Sequence, residues 1–437
     1  MSQKGITRQE FLRSSMAVGA TALIAGTVNA QEAERTVRVG VVGVGSRGTG
    51  FVNTLAAMPG VEVPAVCDIN SDRAAQAQKI VADKTGRSPE AYTQSERDFE
   101  RLCAREDLDA VITATPWEWH APVALSAMRA KKYAGVEVPA AITVDECWDL
   151  VKTSEETGVP CMMLENVCYF QNVLTLMRMV REGVLGEIIH CQGGYQHDCR
   201  RLMFNPDGSL SWRGKHAKEK NGNLYPTHPL GPISWWTNIN RGDRMASLTS
   251  MSTPSLGLNE YAAKAFGPDS EAAKAQYAQG DVNTTLIKTA NGRTITLYFD
   301  LGTPRPYDLI FRLQGTKGLY MGSLDKIYVD GMSPKADEYE PFEPYLEKYP
   351  HPLWKDLEEK AKAHGGHGGC DYITTYEFIK AVRNKTQPPQ DVYDAATWSV
   401  IFPLSIESVA KGGAMLDMPD FTKGAWKTNT PVPVVGA

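Results

Sequence analysis

A β-branched run that leads directly into a glycine-rich turn constrains this chain more than any other feature. Residues 36–42 read Thr-Val-Arg-Val-Gly-Val-Val, which predicts a buried parallel strand. Gly43, Gly45 and Gly48 follow in the pattern GxGxxG. In that pattern the first glycine makes a tight turn, the second lets a pyrophosphate approach the backbone, and the third lets the next helix pack closely.

An acidic residue completes the pattern at the expected distance. The second predicted strand, residues 61–67, ends at Asp68, about twenty residues after the last glycine. An acid at that place binds the ribose hydroxyls, and its charge disfavours a 2′-phosphate. The sequence therefore predicts a Rossmann domain that binds NAD rather than NADP, with Ser46 and Arg47 inside the phosphate-binding turn.

The alternation of helices and strands gives the fold class. Up to residue 165 it predicts a doubly wound parallel sheet, and 437 residues are enough for a second core. We place an NAD-binding domain at residues 31–165 and an α/β substrate domain at residues 166–437, with a large, mostly antiparallel open sheet and C-terminal helices that pack back. The elements predicted are helices at 71–84, 121–130, 173–182, 371–382 and 395–411, strands at 108–114, 132–136, 160–164 and 186–194, and a hairpin over 284–300.

The first thirty residues are typical of an export signal peptide. A small apolar stretch, residues 14–28, follows a polar start. Residues 7–13, Thr-Arg-Gln-Glu-Phe-Leu-Arg, resemble the twin-arginine motif, with Gln9 at the place of the second arginine. We expect an exported protein, periplasmic or extracellular; a general secretory signal and an uncleaved tether are the alternatives to the twin-arginine route.

Composition narrows the classes of partner. The formal net charge of -5 argues against nucleic acid or an anionic membrane, and no later stretch is apolar enough to span a bilayer. The eight cysteines form no CxxC pair, so we expect free, buried thiols. His364, His367 and Cys370 share a three-residue spacing, but the segment lacks a fourth ligand, and we expect no metal site.

Two motifs at strand ends carry a resemblance to a known family. Residues 117–120 read Trp-Glu-Trp-His, and Glu137-Val138-Pro139 follows the next strand. The second motif resembles the Glu-Lys-Pro of Gfo/Idh/MocA oxidoreductases, with Val138 in place of the lysine that assists catalysis beside the nicotinamide. Val138 in place of the lysine, together with the Trp-Glu-Trp-His motif, makes the chain resemble glycoside hydrolase family 109, the NAD-dependent α-N-acetylgalactosaminidases.

That resemblance implies one tightly bound NAD per chain. The implied cofactor residues are Gly43, Gly45, Ser46, Arg47, Gly48, Asp68, Trp117, Glu118, Trp119, His120, Glu137, Val138 and Asn166. It also implies a sugar site formed by Tyr195, Arg213, Tyr225, Pro226, Thr227, His228 and Tyr307, with Tyr225 to His228 read as a loop.

The implied reaction is redox-neutral. Hydride leaves C3 of the sugar for NAD while His228 accepts the C3 hydroxyl proton, a role suited to imidazole, whose unperturbed pKa is about 6.5. The ketone acidifies the proton at C2, which Tyr225 or Tyr169 removes, and the anomeric oxygen leaves by elimination. Water then adds at C1, and the hydride returns from the cofactor to C3. Two alternatives to this function are a net sugar or polyol oxidoreductase and a non-catalytic, NAD-containing sugar-binding protein. The expected partners are a glycan or small glycoside and a second copy of the chain in a homodimer.

His197, Asp198 and Cys199 are neighbours along a strand and are not expected to meet.

Overall fold

A six-stranded parallel sheet forms the first half of the chain in this computed structural model, which describes residues 35–436. The strand order is β3-β2-β1-β4-β5-β6, so the chain reverses direction across the sheet between β1 and β4. The predicted signal peptide lies outside the described residues. The strands are β1 (Val37–Val42), β2 (Val61–Cys67), β3 (Glu90–Tyr92), β4 (Ala110–Thr113), β5 (Tyr133–Val136) and β6 (Cys161–Met163).

Helices connect these strands. β1 is central and almost entirely buried, as its valine-rich sequence predicts. Because β1 and β4 end side by side, Val42 opposite Thr113, the reversal creates a crevice at the carboxyl ends of the strands. The helices are α1 (Ser46–Ala57), α2 (Ser71–Thr85), α3 (Phe99–Cys103), α4 (His120–Arg129) and α5 (Val144–Thr157).

A nine-stranded sheet forms the second half, in the order β14-β13-β12-β11-β7-β10-β9-β8-β15. β7 and β10 are parallel and the other pairs are antiparallel, which confirms the predicted fold class. The strands are β7 (Ile188–Gln196), β8 (Met245–Ser252), β9 (Asn283–Thr289), β10 (Thr294–Asp300), β11 (Arg312–Gly315), β12 (Gly318–Met321), β13 (Lys326–Val329), β14 (Glu340–Pro341) and β15 (Leu416–Asp417).

One face of this sheet is covered by helices and the other is open. Helix α8 packs on β7 and helix α15 packs on β8. On the opposite face Ile189, Met251 and Leu286 are about half exposed, because alternate residues of a strand point to opposite faces. The helices of this half are α6 (Gln171–Arg181), α7 (Trp212–Glu219), α8 (Thr227–Thr237), α9 (Gly257–Phe266), α10 (Glu271–Lys274), α11 (Glu343–Lys348), α12 (Pro352–His364), α13 (Cys370–Asn384), α14 (Val392–Ser399) and α15 (Ile401–Ala410).

The sequence prediction of the second half was wrong in two places. The single helix predicted at 395–411 is two helices, α14 and α15, that meet at Val400. The segment Tyr225 to His228 was predicted as a loop, but Thr227 and His228 begin helix α8. Pro229 is tolerated there because the first turn of a helix has no partner for its backbone N–H.

All eight cysteines are buried free thiols, as predicted. Among residues 35–436, no helix is long and apolar enough to cross a membrane.

Candidate active site

The turn between β1 and α1 has the shape that a dinucleotide needs. Gly43 has a φ of +78°, and a Cβ on Gly48 would lie 1.8 Å from the carbonyl oxygen of Gly43. Gly45 begins α1 without a side-chain cap, and a Cβ there would meet only the guanidinium of Arg73, at 3.5 Å. The first N–H groups of a helix have no partner within it, and this one has no side-chain cap, so the residues present fit the pyrophosphate of NAD.

Asp68 lies beside this turn and is held by it. One carboxylate oxygen accepts a hydrogen bond from the backbone N–H of Val44 at 2.9 Å, and the other accepts from Asn70 at 2.9 Å. These two bonds orient the carboxylate at the end of β2, where the ribose hydroxyls of NAD would reach it.

Arg47 joins the glycine-rich turn to the second half of the chain. Its guanidinium donates to Glu137 at 2.6 Å and to Asp371, at the start of α13, at 2.8 Å. Asp371 also accepts from His367 at 2.8 Å and from the amide of Asn166 at 2.7 Å. Although burial opposes its charge, the bonds from His367 and Arg47 hold the pKa of Asp371 well below its usual range. Three predicted cofactor residues, Arg47, Glu137 and Asn166, thus share one network.

His367 and Cys370 serve this network and the local turn. His367 bonds Asp371, whose hydrogen bond raises the pKa of the imidazole, and the Cys370 thiol donates to the carbonyl of His367 at 3.2 Å. Among residues 35–436, no group of three or more His, Cys, Asp or Glu is arranged to hold a metal ion.

The Trp-Glu-Trp-His segment after β4 forms a wall between the two halves. Trp117 packs against Trp212, Tyr225 and Phe402, with ring centroids 5.0 to 5.8 Å apart. Glu118 contacts the ring of His216 at 3.2 Å. The aromatic wall therefore extends the carboxyl edge of the first sheet to the second half of the chain.

Two members of this segment have other partners than a cofactor. Trp119 packs edge-to-face on Phe99. His120 is buried, and its two ring nitrogens lie 2.7 and 2.9 Å from the carbonyl oxygens of Pro139 and Thr115. His120 therefore ties two strand ends together, and its assignment to the cofactor site stays a prediction.

Val138 is buried where the related oxidoreductases have lysine. Its side chain is 3% exposed, and its backbone N–H donates to the Glu137 carboxylate at 3.2 Å. An aliphatic side chain exchanges no proton, so any proton transfer at this position requires another residue.

An aromatic cluster in the second half of the chain surrounds the imidazole of His228, which can exchange a proton. The ring of His228 lies edge-on to Tyr195 and Tyr225, with ring centroids 4.9 Å apart in both pairs. Tyr195 and Tyr225 are 4.7 Å apart, and Tyr307 lies 6.1 Å from Tyr195 with its ring about half exposed. Arg213 lies over the ring of Trp212, with its guanidinium carbon 4.0 Å from the ring centre. The structure thus brings together five of the predicted sugar-site residues.

Burial makes the tyrosines of this cluster weak acids. It raises the pKa of Tyr195, Tyr225 and Tyr307 above the ordinary value, and neighbouring groups add to the shift. For Tyr225 these include the carboxylates of Glu137 and Glu165, while the charge of Arg213 acts in the opposite direction. All three rings are neutral phenols near pH 7 in this state.

Pro226 and Thr227 support the cluster from beneath. Pro226 is buried, and Thr227 is 0% exposed with no hydrogen-bond partner for its hydroxyl among the described residues. Both are buried where α8, which carries His228, begins, and their assignment as substrate contacts stays a prediction.

Tyr169 lies apart from the cluster. Its ring is 1% exposed and packs edge-to-face on Trp235, 5.4 Å away. Both rings line a cavity of about 830 Å³ together with His351 and Glu377, and His228 does not line that cavity. Burial raises the pKa of Tyr169 well above its ordinary value, as it does for Tyr225, so only its position outside the cluster distinguishes it, and its role as a base stays a prediction.

Two residues of the site, Glu165 and His197, were not predicted from the sequence. Glu165, just after β6, is 0% exposed, and one of its carboxylate oxygens lies 2.7 Å from Nδ1 of His228. His197 lies 3.3 Å from the hydroxyl of Tyr195 and 5.1 Å, ring to ring, from Tyr307. The period of two along β7, continued one residue beyond its end at Gln196, places His197 on the face of Tyr195 and could have revealed the second of these.

Comparisons with solved structures agree with the fold. An oxidoreductase domain protein from Kribbella flavida superposes with a TM-score of 0.67 at 18% identity, covering 88% of this chain and 100% of the other. Levoglucosan dehydrogenase in complex with NADH and levoglucosan gives a TM-score of 0.67 at 22% identity, over 88% of this chain and 100% of that one.

Sequence comparisons are more specific. Residues 37–165 match the oxidoreductase family model for an NAD-binding Rossmann fold, and residues 169–428 match the model for the C-terminal domain of glycosyl hydrolase 109. An alpha-N-acetylgalactosaminidase of Tannerella forsythia is 45% identical over 91% of this chain and 88% of its own length. A glycosyl hydrolase family 109 protein of Shewanella pealeana is 44% identical over 92% and 89%. The chain therefore belongs to glycosyl hydrolase family 109 and is built on an NAD-binding Rossmann domain.

Proposed function

We propose that this enzyme hydrolyses terminal α-linked N-acetylgalactosamine and keeps one NAD per chain through a redox-neutral cycle. The observation that carries the proposal is the pair of His228 and Glu165, placed beside Tyr195 and Tyr225 in a chain that has Val138 where the related oxidoreductases have lysine. The name of the Tannerella forsythia relative supports the choice of sugar.

His228 is the group that moves the first proton. Nδ1 of its ring is engaged by Glu165, so Nε2 is the nitrogen that can accept the proton of the C3 hydroxyl. Bound NAD supplies the hydride acceptor at C3 and returns the hydride when the cycle ends. The aromatic faces of Tyr195 and Tyr307 offer surfaces for the sugar ring, and Arg213 can bind hydroxyl or acetamido oxygens.

Tyr225 is the candidate for the proton at C2. The ketone at C3 acidifies that proton, and the anomeric oxygen leaves by elimination before water adds at C1. Because burial keeps Tyr225 a neutral phenol, its own proton must first pass to solvent water, and the resulting phenolate then accepts the C2 proton. The charge of Arg213 favours that phenolate.

The same scheme accounts for export. An enzyme that returns its hydride in every cycle needs no supply of nucleotide, so it can work outside the cytoplasm. The apolar stretch at residues 14–28 and the twin-arginine-like segment before it support export, and a twin-arginine route would carry the enzyme already folded around NAD.

The open face of the second sheet offers an apolar surface for a homodimer.

Deoxygenated substrates test the chemistry directly. A p-nitrophenyl α-N-acetylgalactosaminide that lacks the C3 hydroxyl cannot be oxidised at C3, so we expect no release of p-nitrophenol. The matched 6-deoxy compound keeps the C3 hydroxyl and should still be hydrolysed. Hydrolysis of the 3-deoxy compound at a rate similar to that of the 6-deoxy compound would exclude oxidation at C3.

A further inference from the structure

Glu165 is a buried carboxylate with a defined geometry around His228. One oxygen, Oε1, accepts from Nδ1 of His228 at 2.7 Å and from the backbone N–H of Val167 at 3.0 Å. The backbone carbonyl of Glu165 accepts from the amide of Gln390 at 2.8 Å, which fixes the main chain. The other carboxylate oxygen, Oε2, is buried and has no hydrogen-bond partner among residues 35–436.

The helix that carries His228 is shaped to reach this carboxylate. Gly231 lies one turn after His228 in α8, and a Cβ at that position would lie 2.9 Å from Cγ of Glu165 and 2.7 Å from Sγ of Cys168. Any larger residue would hold α8 away from the strand end. The short contact between Glu165 and His228 therefore depends on a close approach of two elements that lie far apart in the sequence.

We propose that Glu165 is a positioning residue that fixes the tautomer of His228 and stabilises the imidazolium formed during the reaction. A carboxylate only accepts hydrogen bonds, so Nδ1 of His228 must carry the proton and Nε2 must present its lone pair. When Nε2 accepts the proton of the C3 hydroxyl, the neutral ring becomes a cation 2.7 Å from Glu165. The proton returns to the sugar oxygen when the hydride returns, so the residue pair is unchanged over a cycle.

The unpaired oxygen of Glu165 favours this proton transfer to His228. The titratable groups that its charge acts on include Cys168, Tyr225, Tyr307 and Cys370, and the raised pKa of each keeps all four neutral near pH 7, so none of them offsets the charge of Glu165. A buried carboxylate with one unpaired oxygen is costly, and a cation that forms beside it relieves part of that cost. The stabilisation is thus greater after proton transfer than before it, as catalysis requires.

The test is the variant Glu165→Gln, studied as the NAD-containing enzyme. The amide oxygen can take the place of Oε1, where it still accepts from Nδ1 of His228 and from the N–H of Val167, so the variant keeps the tautomer and removes only the negative charge. We expect kcat to fall about 10²- to 10⁴-fold, with KM changed less than about threefold. Glu377→Gln is the matched control, because Glu377 is also buried but lies in the cavity with Tyr169, and it should leave kcat unchanged.

A second readout needs no turnover. Nitrogen-15 NMR of the histidine side chains should show His228 protonated at Nδ1 in the wild-type enzyme and in Glu165→Gln, and a loss of that preference in Glu165→Leu, whose side chain accepts no hydrogen bond. An Nε2-protonated His228 in the wild-type enzyme, or an unchanged kcat in Glu165→Gln, would overturn the proposal. The inference rests on the proposed function only for its rates: if no glycoside is hydrolysed but the tautomer preference is lost in Glu165→Leu as expected, the proposed function fails and the positioning role of Glu165 remains.

Discussion

Arg47 and Asp371 form an ion pair of 2.8 Å that joins the glycine-rich turn of the first sheet to the start of helix α13. The same guanidinium contacts Glu137 at 2.6 Å, so one cation neutralises two largely buried carboxylates. The pair links the segment that would hold the pyrophosphate of NAD to the half of the chain that holds His228.

The first prediction concerns this pair. Asp371→Asn removes the charge that Arg47 faces, and we expect the free energy of unfolding to fall by about 2 kcal/mol, since Arg47 is partly exposed. Because the pKa of Asp371 is lowered in the folded state, its contribution is present above its unfolded pKa and is lost as the pH falls towards the folded value. The difference between wild type and variant should therefore shrink in acid, as measured by urea unfolding at several pH values.

The exposed pair of Asp83 and Lys79 provides the control for that experiment. Asp83→Asn should change stability by less than about 0.5 kcal/mol, because solvent screens this pair. Equal effects of the two substitutions would mean that the Arg47 network contributes no more than a surface contact.

The second prediction separates cofactor binding from folding. Gly45→Ala places a methyl group where only the Arg73 side chain lies near, so the protein should fold, but the methyl group would block the approach of the pyrophosphate. We expect a variant of near wild-type thermal stability in the absence of NAD that purifies with little or none. Gly50→Ala, on the exposed side of the same helix with nothing within 4 Å, should retain NAD and gain about 0.5 to 1 kcal/mol. Full NAD content in Gly45→Ala would place the phosphates elsewhere.

The third prediction is a pH dependence of stability. Burial, with the nearby charge of Arg178, lowers the pKa of His351 to about 4, so its ring is neutral in the folded enzyme. The unfolded chain takes up the proton at about pH 6.5. Above that pH the folded enzyme keeps its full stability, and about 3 kcal/mol of the free energy of unfolding is lost as the pH falls from about 6.5 towards 4. His351→Asn keeps an acceptor for the Leu353 N–H and does not titrate, so its unfolding free energy should depend less on pH in that window. Parallel pH curves for the two proteins would contradict this.

The fourth prediction concerns the proton at C2. Tyr225→Phe removes the only acid–base group of that ring, and we expect kcat to fall about 10²- to 10³-fold. Tyr307→Phe alters a half-exposed ring at the edge of the site, so its effect should fall mainly on KM. Steady-state kinetics on a p-nitrophenyl substrate distinguish the two, and a Tyr225→Phe variant with normal kcat would assign the C2 proton to another group.

The first half of the fold was predictable because its information is local. The valine-rich β1, the three glycines and Asp68 are each recognisable from their neighbours in sequence. Helix α8 was missed for the same reason, because Pro229, Gly231 and Pro232 read as helix breakers, although packing on β7 stabilises the helix.

The site was only partly predictable because its geometry depends on long-range contacts. Glu165 and His228 are 63 residues apart, and no spacing rule connects a residue after a strand to one at the start of a distant helix. Tyr169 looked suitable because it follows the same strand end, but the short 3-10 helix formed by residues 166–169 turns its ring towards Trp235.

The most direct test of the redox-neutral cycle is p-nitrophenol release from p-nitrophenyl α-N-acetylgalactosaminide by the purified enzyme without added nucleotide, with the absorbance of reduced nicotinamide followed in parallel. The account predicts many turnovers per bound NAD, no net accumulation of reduced cofactor, and loss of activity in His228→Ala. Absence of p-nitrophenol release, together with stoichiometric reduction of the bound cofactor by free sugar, would contradict it and identify a net oxidoreductase.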